Sequence, residues 1–441
     1  MKLYVKTFGC QMNVHDSRRI EEIFRSAGYT MTADPREADV ALINSCTIRE
    51  KAWHKAISET GRLRKLKRGR RDVIVGIVGC VAQQEGERIF DLIPGVDMVI
   101  APDHYGRLVE LVEEVKLRED TLVLTGFDRG RPEDFLTPGP ATSRREATAF
   151  VTIMKGCQER CAYCIVPTVR GPERHRPIED VESEVRGLVA GGVVEVTLLG
   201  QKVNAYQSGE EGFAELLRRL DSLEGLERLR FTSPHPRHMT PDVTSSFGRL
   251  RSLCESIHLP VQSGSSRILS RMGRRYNVED YLLVVSKLRE ACPSIGISTD
   301  LIVGYPGETS EDFEETLALI DRVGFSGAFS FKYSPRPGTR AASLDDDVPQ
   351  DEKVRRLDAV HERIESLERR WRGSMVGTKL EVLVTNEGRM PGQVSGRARN
   401  SQIVNFVPTD GSTIDDLVGR LVEVEVTTAH SHSLEGKPAI R

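Results

Sequence analysis

Apolar runs alternate with amphipathic segments over the first part of the chain. The runs KLYVKTF, DVALIN and DVIVGIVG have the short, continuous apolar character of buried strands. The segments between them have helical spacing: HDSRRIEEIFRSAG, the stretch 47–66 and DHYGRLVELVEEV. This βαβα order predicts a flavodoxin-like parallel sheet, with helices on its faces, in a domain at 1–117.

A second alternating series begins near residue 149. Its candidate strands are AFVTIMK, VVEVTLLG, LERLRFT, SIHLPV, GISTDLIVG and GAFSFKYS, with helical segments between them. Six βα repeats predict an open (β/α)6 partial barrel, because a complete barrel of eight units needs roughly 250 residues. We place this domain at 143–373. It follows a linker at 118–142, which runs into the stretch 128–146 rich in Pro, Gly and charge.

The last part of the chain changes character after a long, charged amphipathic helix, DEKVRRLDAVHERIESLERRWRG. The short β-rich runs KLEVLVT, SQIVNFV and LVEVEVTTAH follow, separated by Gly, Asn and Pro. Short strands with such turn residues between them are typical of a small β-barrel. We therefore predict a small antiparallel β-barrel at 376–441.

The composition is that of an ordinary soluble protein. The 441 residues are 39% hydrophobic and carry a formal net charge of −3. The most apolar run, Val73–Ala82, is far shorter than the roughly 20 residues that a membrane helix needs. The amino-terminal residues lack the apolar core of a signal peptide. We expect a cytoplasmic protein with no membrane partner.

Three cysteines lie close together in the run KGCQERCAYC: Cys157, Cys161 and Cys164. They follow the first strand of the second series, at the carboxyl end where such folds place their chemistry. Three thiolates can hold three irons of a 4Fe–4S cluster and leave the fourth iron open. The alternatives are a zinc site completed by His175 and structural free cysteines. We favour the cluster, because zinc sites usually pair one C-x2-C with another.

A second set of three cysteines is scattered along the sequence. Cys10, Cys46 and Cys80 each follow directly after a predicted parallel strand. The carboxyl ends of parallel strands meet at one edge of a sheet, where open α/β sheets build their sites. We therefore predict a second three-cysteine cluster, the alternative being three structural cysteines. Cys254 and Cys292 do not share this placement and are interpreted as small buried hydrophobic residues.

The C-x3-C-x2-C spacing, with Tyr163 before the last cysteine, resembles that of the radical S-adenosylmethionine enzymes. Within that superfamily, further segments resemble the methylthiotransferases. The amino-terminal segments are TFGCQMN, NSCTIREKA and GIVGCVAQ, and the core segments are MKGCQERCAYCIVPTVRGPERHRP, LLGQKVNAY, HLPVQSGS and STDLIVGYPGET. The ending, with SGRARNSQIVNF and LVGRLVEVEVTTAHSHSLEG, resembles a TRAM domain, an RNA-binding β-barrel.

This resemblance implies an enzyme with two 4Fe–4S clusters, S-adenosylmethionine and a low-potential electron donor. The open iron at Cys157, Cys161 and Cys164 would bind S-adenosylmethionine, whose reductive cleavage gives a 5′-deoxyadenosyl radical. No catalytic residue is expected beyond the cluster ligands. Further cofactor contacts are implied for a set of polar, aromatic and glycine residues, each of which could also be structural: Tyr163, Gly200, Gln201, Gln262 and Asp300. The run LLGQ departs from the Gly-Gly-Glu of many radical enzymes.

Within the family, the segments FSFKYSPRPGTRAA and VPQDEKVRRL resemble members that act on tRNA. The implied reaction is methylthiolation of carbon 2 of N6-isopentenyladenosine beside the anticodon. It would use two S-adenosylmethionine molecules and sulfur from the auxiliary cluster of Cys10, Cys46 and Cys80. A radical suits this carbon, because its C–H bond has no acidic proton. The alternatives are a ribosomal protein aspartate, threonylcarbamoyladenosine in tRNA, and a non-enzymatic iron–sulfur electron-transfer or scaffold protein.

Two basic stretches are candidate contacts for the anticodon stem-loop of tRNA. RLRKLKRGRR has seven basic residues in ten and no acid, and RILSRMGRRYN contributes further arginines. Either stretch could be ordinary solvated surface, but clustered cations also bind phosphates. The candidate RNA contacts are Arg62, Arg64, Lys65, Lys67, Arg68, Arg271, Arg274 and Arg275.

Overall fold

The computed structural model describes residues 1–47, 50–68, 70, 72–118, 120–127, 135, 146–409 and 411–439. They form two compact units. The first comprises the described residues of 1–143 together with 154–159 and 165–176, and the second comprises those of 144–153, 160–164 and 177–441. Most of the predicted linker at 118–142, and of the stretch 128–146, lies outside the described residues. The domain bounds given above stay predictions.

The first unit is built on a six-stranded sheet in which every neighbouring pair is parallel. The strand order is β2-β1-β3-β4-β5-β6, which extends the flavodoxin-like order by one strand. The strands are β1 (Lys2–Phe8), β2 (Thr30–Met31), β3 (Val40–Ser45), β4 (Ile74–Gly79), β5 (Met98–Ile100) and β6 (Leu122–Leu124). The prediction of a parallel sheet is confirmed.

Helices cover both faces of this sheet. They are α1 (Gln11–Ser26), α2 (Glu50–Leu63), α3 (Cys80–Glu85), α4 (Arg88–Leu92) and α5 (Leu108–Arg118), with 3-10 turns at Pro35–Glu37, Arg64–Arg68 and Pro102–Arg107. The first unit also contains α6 (Val166–Arg170), whose Val169 packs with Cys80 of α3. Phe24 of α1 and Leu108 of α5 are buried against one face. Ala56 and Leu63 of α2 are buried against the other. Because both faces are covered, strands β3 and β4 are buried at every position.

The second unit contains the six predicted central strands. They form two three-stranded parallel sheets, which are joined by a parallel bridge between Leu229 and Leu253. The strands are β7 (Thr148–Thr152), β8 (Glu195–Leu199), β9 (Arg228–Phe231), β10 (Ser256–His258), β11 (Gly296–Val303) and β12 (Gly327–Lys332). Two short antiparallel pairs also occur: Met154–Lys155 with Arg174–His175 in the first unit, and Gln207–Ser208 with Glu211–Gly212 in the second.

The helices of the second unit follow these strands in the predicted βα order. They are α7 (Ile178–Ala190), α8 (Phe213–Asp221), α9 (Pro241–Arg249), α10 (Ser266–Arg271), α11 (Val278–Ala291), α12 (Ser310–Val323) and α13 (Gln350–Gly373). Capping boxes fix the start of α11, through Asn277 and Asp280, and of α12, through Thr309 and Asp312. Among the helices of the described residues, none is both long enough and apolar enough to cross a membrane.

The carboxyl-terminal strands close into a five-stranded barrel in the order β13-β14-β15-β17-β16. They are β13 (Lys379–Glu387), β14 (Val394–Ala398), β15 (Ile403–Phe406), β16 (Leu421–Ala429) and β17 (Leu434–Pro438), and the short helix α14 (Ile414–Leu417) precedes β16. Four neighbouring pairs are antiparallel, as predicted, and β15 pairs with β17 in parallel. The sequence reading missed β14 and β17, which are short and contain glycine.

Arg228, on β9, ties the barrel to the central strands. Its side chain is completely buried, at 0% exposure. Its Nη1 donates to the carbonyl of Arg397 at 2.6 Å, and its Nη2 donates to the carbonyl of Glu381 at 2.7 Å. Both acceptors belong to barrel strands, so a buried charge holds the barrel in place.

Arg230, two residues further along β9, makes a second set of contacts with the barrel. Its Nη2 donates to the carbonyl of Ala398 at 2.9 Å, and its Nη1 donates to the carbonyl of Arg399 at 2.9 Å. Its Nε donates to the buried carboxylate of Glu195 at 2.9 Å. The turn after β14 is therefore held by backbone carbonyl contacts with guanidinium groups.

We predict that Arg228→Ala lowers the free energy of unfolding by about 3–5 kcal/mol, because it removes one partner from a buried ionic network. Denaturant unfolding followed by tryptophan fluorescence measures this, since Trp371 packs against the barrel core. Arg218→Ala is the matched control: its ion pair with Glu215 has 65% and 31% side-chain exposure, so the loss should stay within about 1 kcal/mol. Equal losses in the two variants would contradict the role of Arg228.

Candidate functional site

Cys10, Cys46 and Cys80 lie at the carboxyl edge of the sheet in the first unit. Cys10 caps α1 after β1, Cys46 follows β3, and Cys80 is the first residue of α3 directly after β4. The strands are in register there, since Phe8 pairs with Ser45 and Ser45 pairs with Gly79. The predicted placement of the three cysteines at one edge is therefore seen in the fold.

The backbone before two of these cysteines requires glycine. Gly9 has φ +136°, and a Cβ there would lie 2.3 Å from the Cβ of Cys46. Gly79 has φ +97°, and a Cβ there would lie 2.5 Å from Oδ1 of Asn44. Side chains at these positions would push the cysteine loops apart. The glycines thus permit the close approach of the three loops.

The electrostatic surroundings favour the thiolate at Cys10. A hydrogen bond with Cys46 lowers the pKa of Cys10 to about 6, against the opposing effect of burial. The Arg170 charge and backbone N–H groups at the start of α1 act in the same direction as this hydrogen bond. Burial raises the pKa of the Cys80 thiol, and Arg170 opposes that increase. A thiolate is the form that binds iron.

Asn44 links the loops that carry these cysteines. Its Oδ1 accepts from Asn13 Nδ2 at 3.1 Å, and its Nδ2 donates to the Asn13 carbonyl at 3.0 Å. Asn13 in turn accepts a hydrogen bond from the Cys10 thiol, with 3.3 Å between Sγ and Oδ1. Asn44 and Asn13 are both fully buried. This network fixes the Cys10 loop relative to the strand that leads to Cys46.

Arg170 reaches Cys80 from α6. Its Nε donates to the Cys80 sulfur at 3.2 Å, and its Nη1 lies 2.8 Å from Asp16 Oδ2. Both side chains of this ion pair are at most 5% exposed. In the described ranges, no three His, Cys, Asp or Glu side chains are arranged as ligands of a single ion. A 4Fe–4S cluster does not need that arrangement, because each thiolate binds a different iron. Three soft thiolate donors suit such a cluster.

The C-x3-C-x2-C motif contributes residues to both units. In the first unit, the Cys157 amide donates to the Gly171 carbonyl at 3.2 Å, beside the short strand pair of Met154–Lys155 and Arg174–His175. His175, the zinc ligand in the alternative interpretation, has its Nε2 2.9 Å from Glu173 Oε1. This contact engages one of the two ring nitrogens of His175.

Cys161 and Cys164 belong to the second unit. The Ala162 amide between them donates to the Met272 carbonyl at 2.8 Å, and the Ala162 carbonyl accepts from the Ala341 amide at 2.8 Å. Arg274 Nη1 lies 3.5 Å from the Cys161 sulfur. Backbone bonds to two separate segments thus hold this part of the loop, and a cation faces one of its thiols.

The predicted cofactor contacts lie near the carboxyl ends of the central strands. Tyr163 packs beside the apolar cluster of Ala162, Met272 and Tyr305. Gly200 is buried directly after β8, and the next residue, Gln201, has a buried Oε1 with no hydrogen-bond partner among the described residues. A buried oxygen of this kind can accept a hydrogen bond from a bound ligand.

Gln262 and Asp300 differ in their placement. Gln262 lies beyond the end of β10 with φ +76°, and its amide donates to the Asp300 carbonyl at 2.9 Å. The sequence predicts that Gln262 and Asp300 lie at the ends of the fourth and fifth central strands, but Asp300 lies inside β11, three residues before its end. Its Oδ1 is 3.3 Å from Nε2 of His258. The strand does not end at this polar residue, because the next three residues, Leu301–Val303, continue the pairing with β12.

The candidate RNA contacts differ in exposure. Lys65 is exposed; Arg62 is exposed and paired with Glu59, and Lys67 is paired with Asp97. Arg64 donates to the Pro94 carbonyl at 2.9 Å. The side chain of Arg68 is outside the described part of the chain.

In the second unit, Arg271 and Arg275 are exposed. Arg274, between them in sequence, is only 6% exposed. Its guanidinium contacts buried groups rather than solvent.

Sequence reasoning missed several polar residues that the fold brings to these sites. Asn44 had one signal, a polar residue inside the apolar run DVALIN. Arg170 and Asp16 had none, because their contacts join distant segments. His235 is a further example: its Nδ1 accepts from the Arg237 amide at 3.2 Å, so the proton is on Nε2. That Nε2 is buried and has no hydrogen-bond partner among the described residues, and burial lowers the His235 pKa to about 2.

Three family models match the chain. The model described as uncharacterized protein family UPF0004 matches residues 2–101, the radical SAM superfamily model matches 151–320, and the TRAM domain model matches 373–439. These matches correspond to the parallel sheet of the first unit, the central strands and the closed barrel.

Curated relatives match along the whole chain. A tRNA-2-methylthio-N(6)-dimethylallyladenosine synthase of Sorangium cellulosum is 44% identical over 98% of this chain and 92% of the relative. A synthase of the same name from Leptothrix cholodnii is 44% identical over 100% of this chain and 94% of the relative.

Among solved structures, the radical S-adenosylmethionine methyltransferase TsrM from Kitasatospora setae, with cobalamin and a [4Fe-4S] cluster bound, is similar in fold. The TM-score is 0.58 at 14% identity, and the match covers 89% of this chain and 80% of TsrM. At this identity the likeness concerns the fold alone.

We predict that Cys10 of the metal-free protein reacts with iodoacetamide with a midpoint at about pH 6, because only the thiolate above its pKa is nucleophilic. Cys46→Ala removes the hydrogen bond and should move the midpoint toward the ordinary value near 9. Peptide mass spectrometry across a pH series measures both. Cys292, whose pKa burial raises, is the internal control. A Cys10 midpoint at or above that of Cys292 would contradict the assignment.

Proposed function

Because this chain belongs to the family of tRNA-2-methylthio-N(6)-dimethylallyladenosine synthases, we propose that it methylthiolates carbon 2 of N6-isopentenyladenosine beside the anticodon of tRNA. It is a radical S-adenosylmethionine enzyme acting on tRNA. The base and atom modified, the number of S-adenosylmethionine molecules and the source of sulfur are the proposed details.

The observation that carries the proposal is the presence of two separate three-cysteine sets in one chain. Cys10, Cys46 and Cys80 meet at the edge of one sheet. Cys157, Cys161 and Cys164 form a distinct sequence motif. Each set can hold three irons of a 4Fe–4S cluster and leave one iron for another ligand. When bound, the clusters and two S-adenosylmethionine molecules would supply the radical, the methyl group and the sulfur.

The residues around the second set would orient S-adenosylmethionine. Gln201 has a buried acceptor oxygen for an ammonium group, and the buried Gly200 directly before it would line the same site. The Tyr163 ring lies between the last two cysteines of the motif and offers an aromatic face for adenine. His235, in the loop that follows β9, offers a neutral N–H donor. Gln262, beyond the end of β10, and Asp300, inside β11, would supply further polar groups.

The tRNA partner is supported by the family and by the carboxyl-terminal TRAM domain. The exposed cations of the first unit, Arg62 and Lys65, and of the second unit, Arg271 and Arg275, are proposed to contact phosphates. Phosphate contacts position the anticodon stem-loop but do not identify the base. A low-potential one-electron donor and a cytoplasmic location complete the proposal.

The proposal is tested by incubating the anaerobically reconstituted enzyme with isopentenylated tRNA, dithionite and S-adenosylmethionine. Mass spectrometry of the digested tRNA should show the 2-methylthio nucleoside. Matched reactions contain unmodified tRNA, tRNA with threonylcarbamoyladenosine, or ribosomal protein. Product in one of those reactions, with isopentenylated tRNA unchanged, would assign another substrate. Absence of 5′-deoxyadenosine in every reaction would favour an electron-transfer or scaffold protein.

Single cysteine variants should separate the roles of the two sets. Cys10→Ala should retain formation of 5′-deoxyadenosine and lose the methylthio product, because it removes a ligand only from the auxiliary set. Cys161→Ala should lose both. Iron analysis should give about eight irons per chain for the parent enzyme and about four for each variant. Cys254→Ala, which removes a buried thiol outside both sets, is the control.

We predict that Lys65→Ala weakens binding of the anticodon stem-loop. The negative slope of log affinity against log salt concentration should become less steep by about 1, because one phosphate contact is lost. The exposed Lys65 has no ion-pair partner among the described residues, whereas Lys67 is paired with Asp97. Lys67→Ala is therefore the matched control and should change the slope less. Fluorescence anisotropy across a salt series measures this, and a larger change for Lys67→Ala would contradict the assignment.

A further inference from the structure

A buried arginine lies against a sulfur of each cysteine set. In the first unit, Arg170 Nε donates to Cys80 Sγ at 3.2 Å. In the second unit, Arg274 Nη1 donates to Cys161 Sγ at 3.5 Å. The two arginine residues are 5% and 6% exposed, respectively. A cation therefore faces one proposed cluster ligand at each site.

The two arginines differ in their countercharge. Arg170 forms an ion pair with Asp16, whose Oδ2 lies 2.8 Å from Nη1, and both side chains are buried. Its charge is therefore compensated by the protein. Within the described ranges, Arg274 has no carboxylate partner. Its other contacts are neutral oxygens, namely the Tyr276 hydroxyl at 3.0 Å, the Tyr163 hydroxyl at 3.5 Å and the Pro260 carbonyl at 3.2 Å.

A buried guanidinium remains charged, because arginine does not lose its proton in proteins. Taking that charge out of water is costly unless an anion lies close to it. The contact of Arg274 that can become an anion is the Cys161 sulfur, which is a thiolate when it binds iron. A 4Fe–4S cluster held by three thiolates has a net negative charge, so the uncompensated charge of Arg274 fits this group.

Hydrogen bonds and charges at the ligand sulfurs help to set the reduction potential of an iron–sulfur cluster. One-electron reduction makes the cluster and its thiolates more negative by one charge. A nearby uncompensated cation stabilises the reduced form more than the oxidised form, and so raises the potential. A cation already paired with a carboxylate has a smaller effect, because the two fields largely cancel.

We propose that Arg274 is a positioning residue that raises the reduction potential of the cluster at Cys157, Cys161 and Cys164, while the neutral Arg170–Asp16 pair leaves the auxiliary cluster without such a shift. This inference rests on the proposed function. The step is transfer of one electron from a low-potential donor, which is oxidised as the cluster is reduced. No covalent bond changes. The difference in charge favours delivery of the electron to the cluster that binds S-adenosylmethionine.

The test is an EPR-monitored redox titration of the full-length reconstituted enzyme with dithionite. The cluster at the motif is identified by the change of its signal on addition of S-adenosylmethionine. Arg274→Gln should lower the ratio of reduced to oxidised cluster at least tenfold at a fixed potential, a midpoint shift of about 59 mV for one electron. Arg274→Lys keeps the charge and should restore most of the shift. An unchanged midpoint in Arg274→Gln, with iron content retained, would overturn the proposal.

The matched variant is Asp16→Asn, which removes the countercharge from Arg170. The auxiliary midpoint should rise by a similar amount, and the midpoint of the other cluster should not move. If Arg274→Gln does not retain its cluster, the Asp16→Asn variant still tests the proposal. An auxiliary midpoint potential that does not rise in Asp16→Asn would overturn it. Because the potentials are measured without tRNA, a failure of the proposed methylthiolation is seen separately, in the nucleoside assay.

Discussion

The register of three parallel strands determines where the first cysteine set forms. In a parallel sheet the carboxyl ends of neighbouring strands lie side by side, and here each strand is followed within two residues by a cysteine. The Cys46 amide donates to the Phe8 carbonyl at 2.9 Å, which extends the strand pairing to the cysteine itself. A slip of one strand by one residue would turn its side chains to the other face. The chemistry of the first unit thus depends on backbone hydrogen bonding.

The hydrophobic pattern predicted the architecture well where strands are buried on both faces. Strands such as Val40–Ser45 and Ile74–Gly79 are continuous apolar runs, because helices cover both sides of the sheet. The pattern failed for Val394–Ala398 and Leu434–Pro438, whose sequences contain glycine and alternate with polar residues. In a closed barrel each strand is hydrogen-bonded to a neighbour on both sides. A segment with only a weak intrinsic preference for β-structure can therefore still form a strand.

The two cysteine sets could be recognised in the sequence as candidate sites because the residue type itself carries the chemistry. The groups around them could not, because they depend on contacts between distant segments. Arg274 illustrates this: its place in a basic run indicated a phosphate contact, yet the fold buries it beside Cys161 and Tyr163. Arg170 and Asp16 are separated by most of the first unit's sequence and still form a buried pair. The sequence shows which residues carry a positive charge, whereas only the folded structure shows which groups lie next to each of them.

The contacts of Arg228 and Arg230 with the barrel have a consequence for modularity. Domains recognised by separate family models are often treated as exchangeable parts joined by linkers. Here the barrel supplies the carbonyl groups that solvate two buried guanidinium groups of the central strands. A catalytic core separated from its barrel would retain those charges without their acceptors. The barrel therefore supplies hydrogen-bond acceptors that the central strands need for their buried arginines. A barrel grafted from another protein would have to place its backbone carbonyls in the same positions, in addition to providing a similar outer surface.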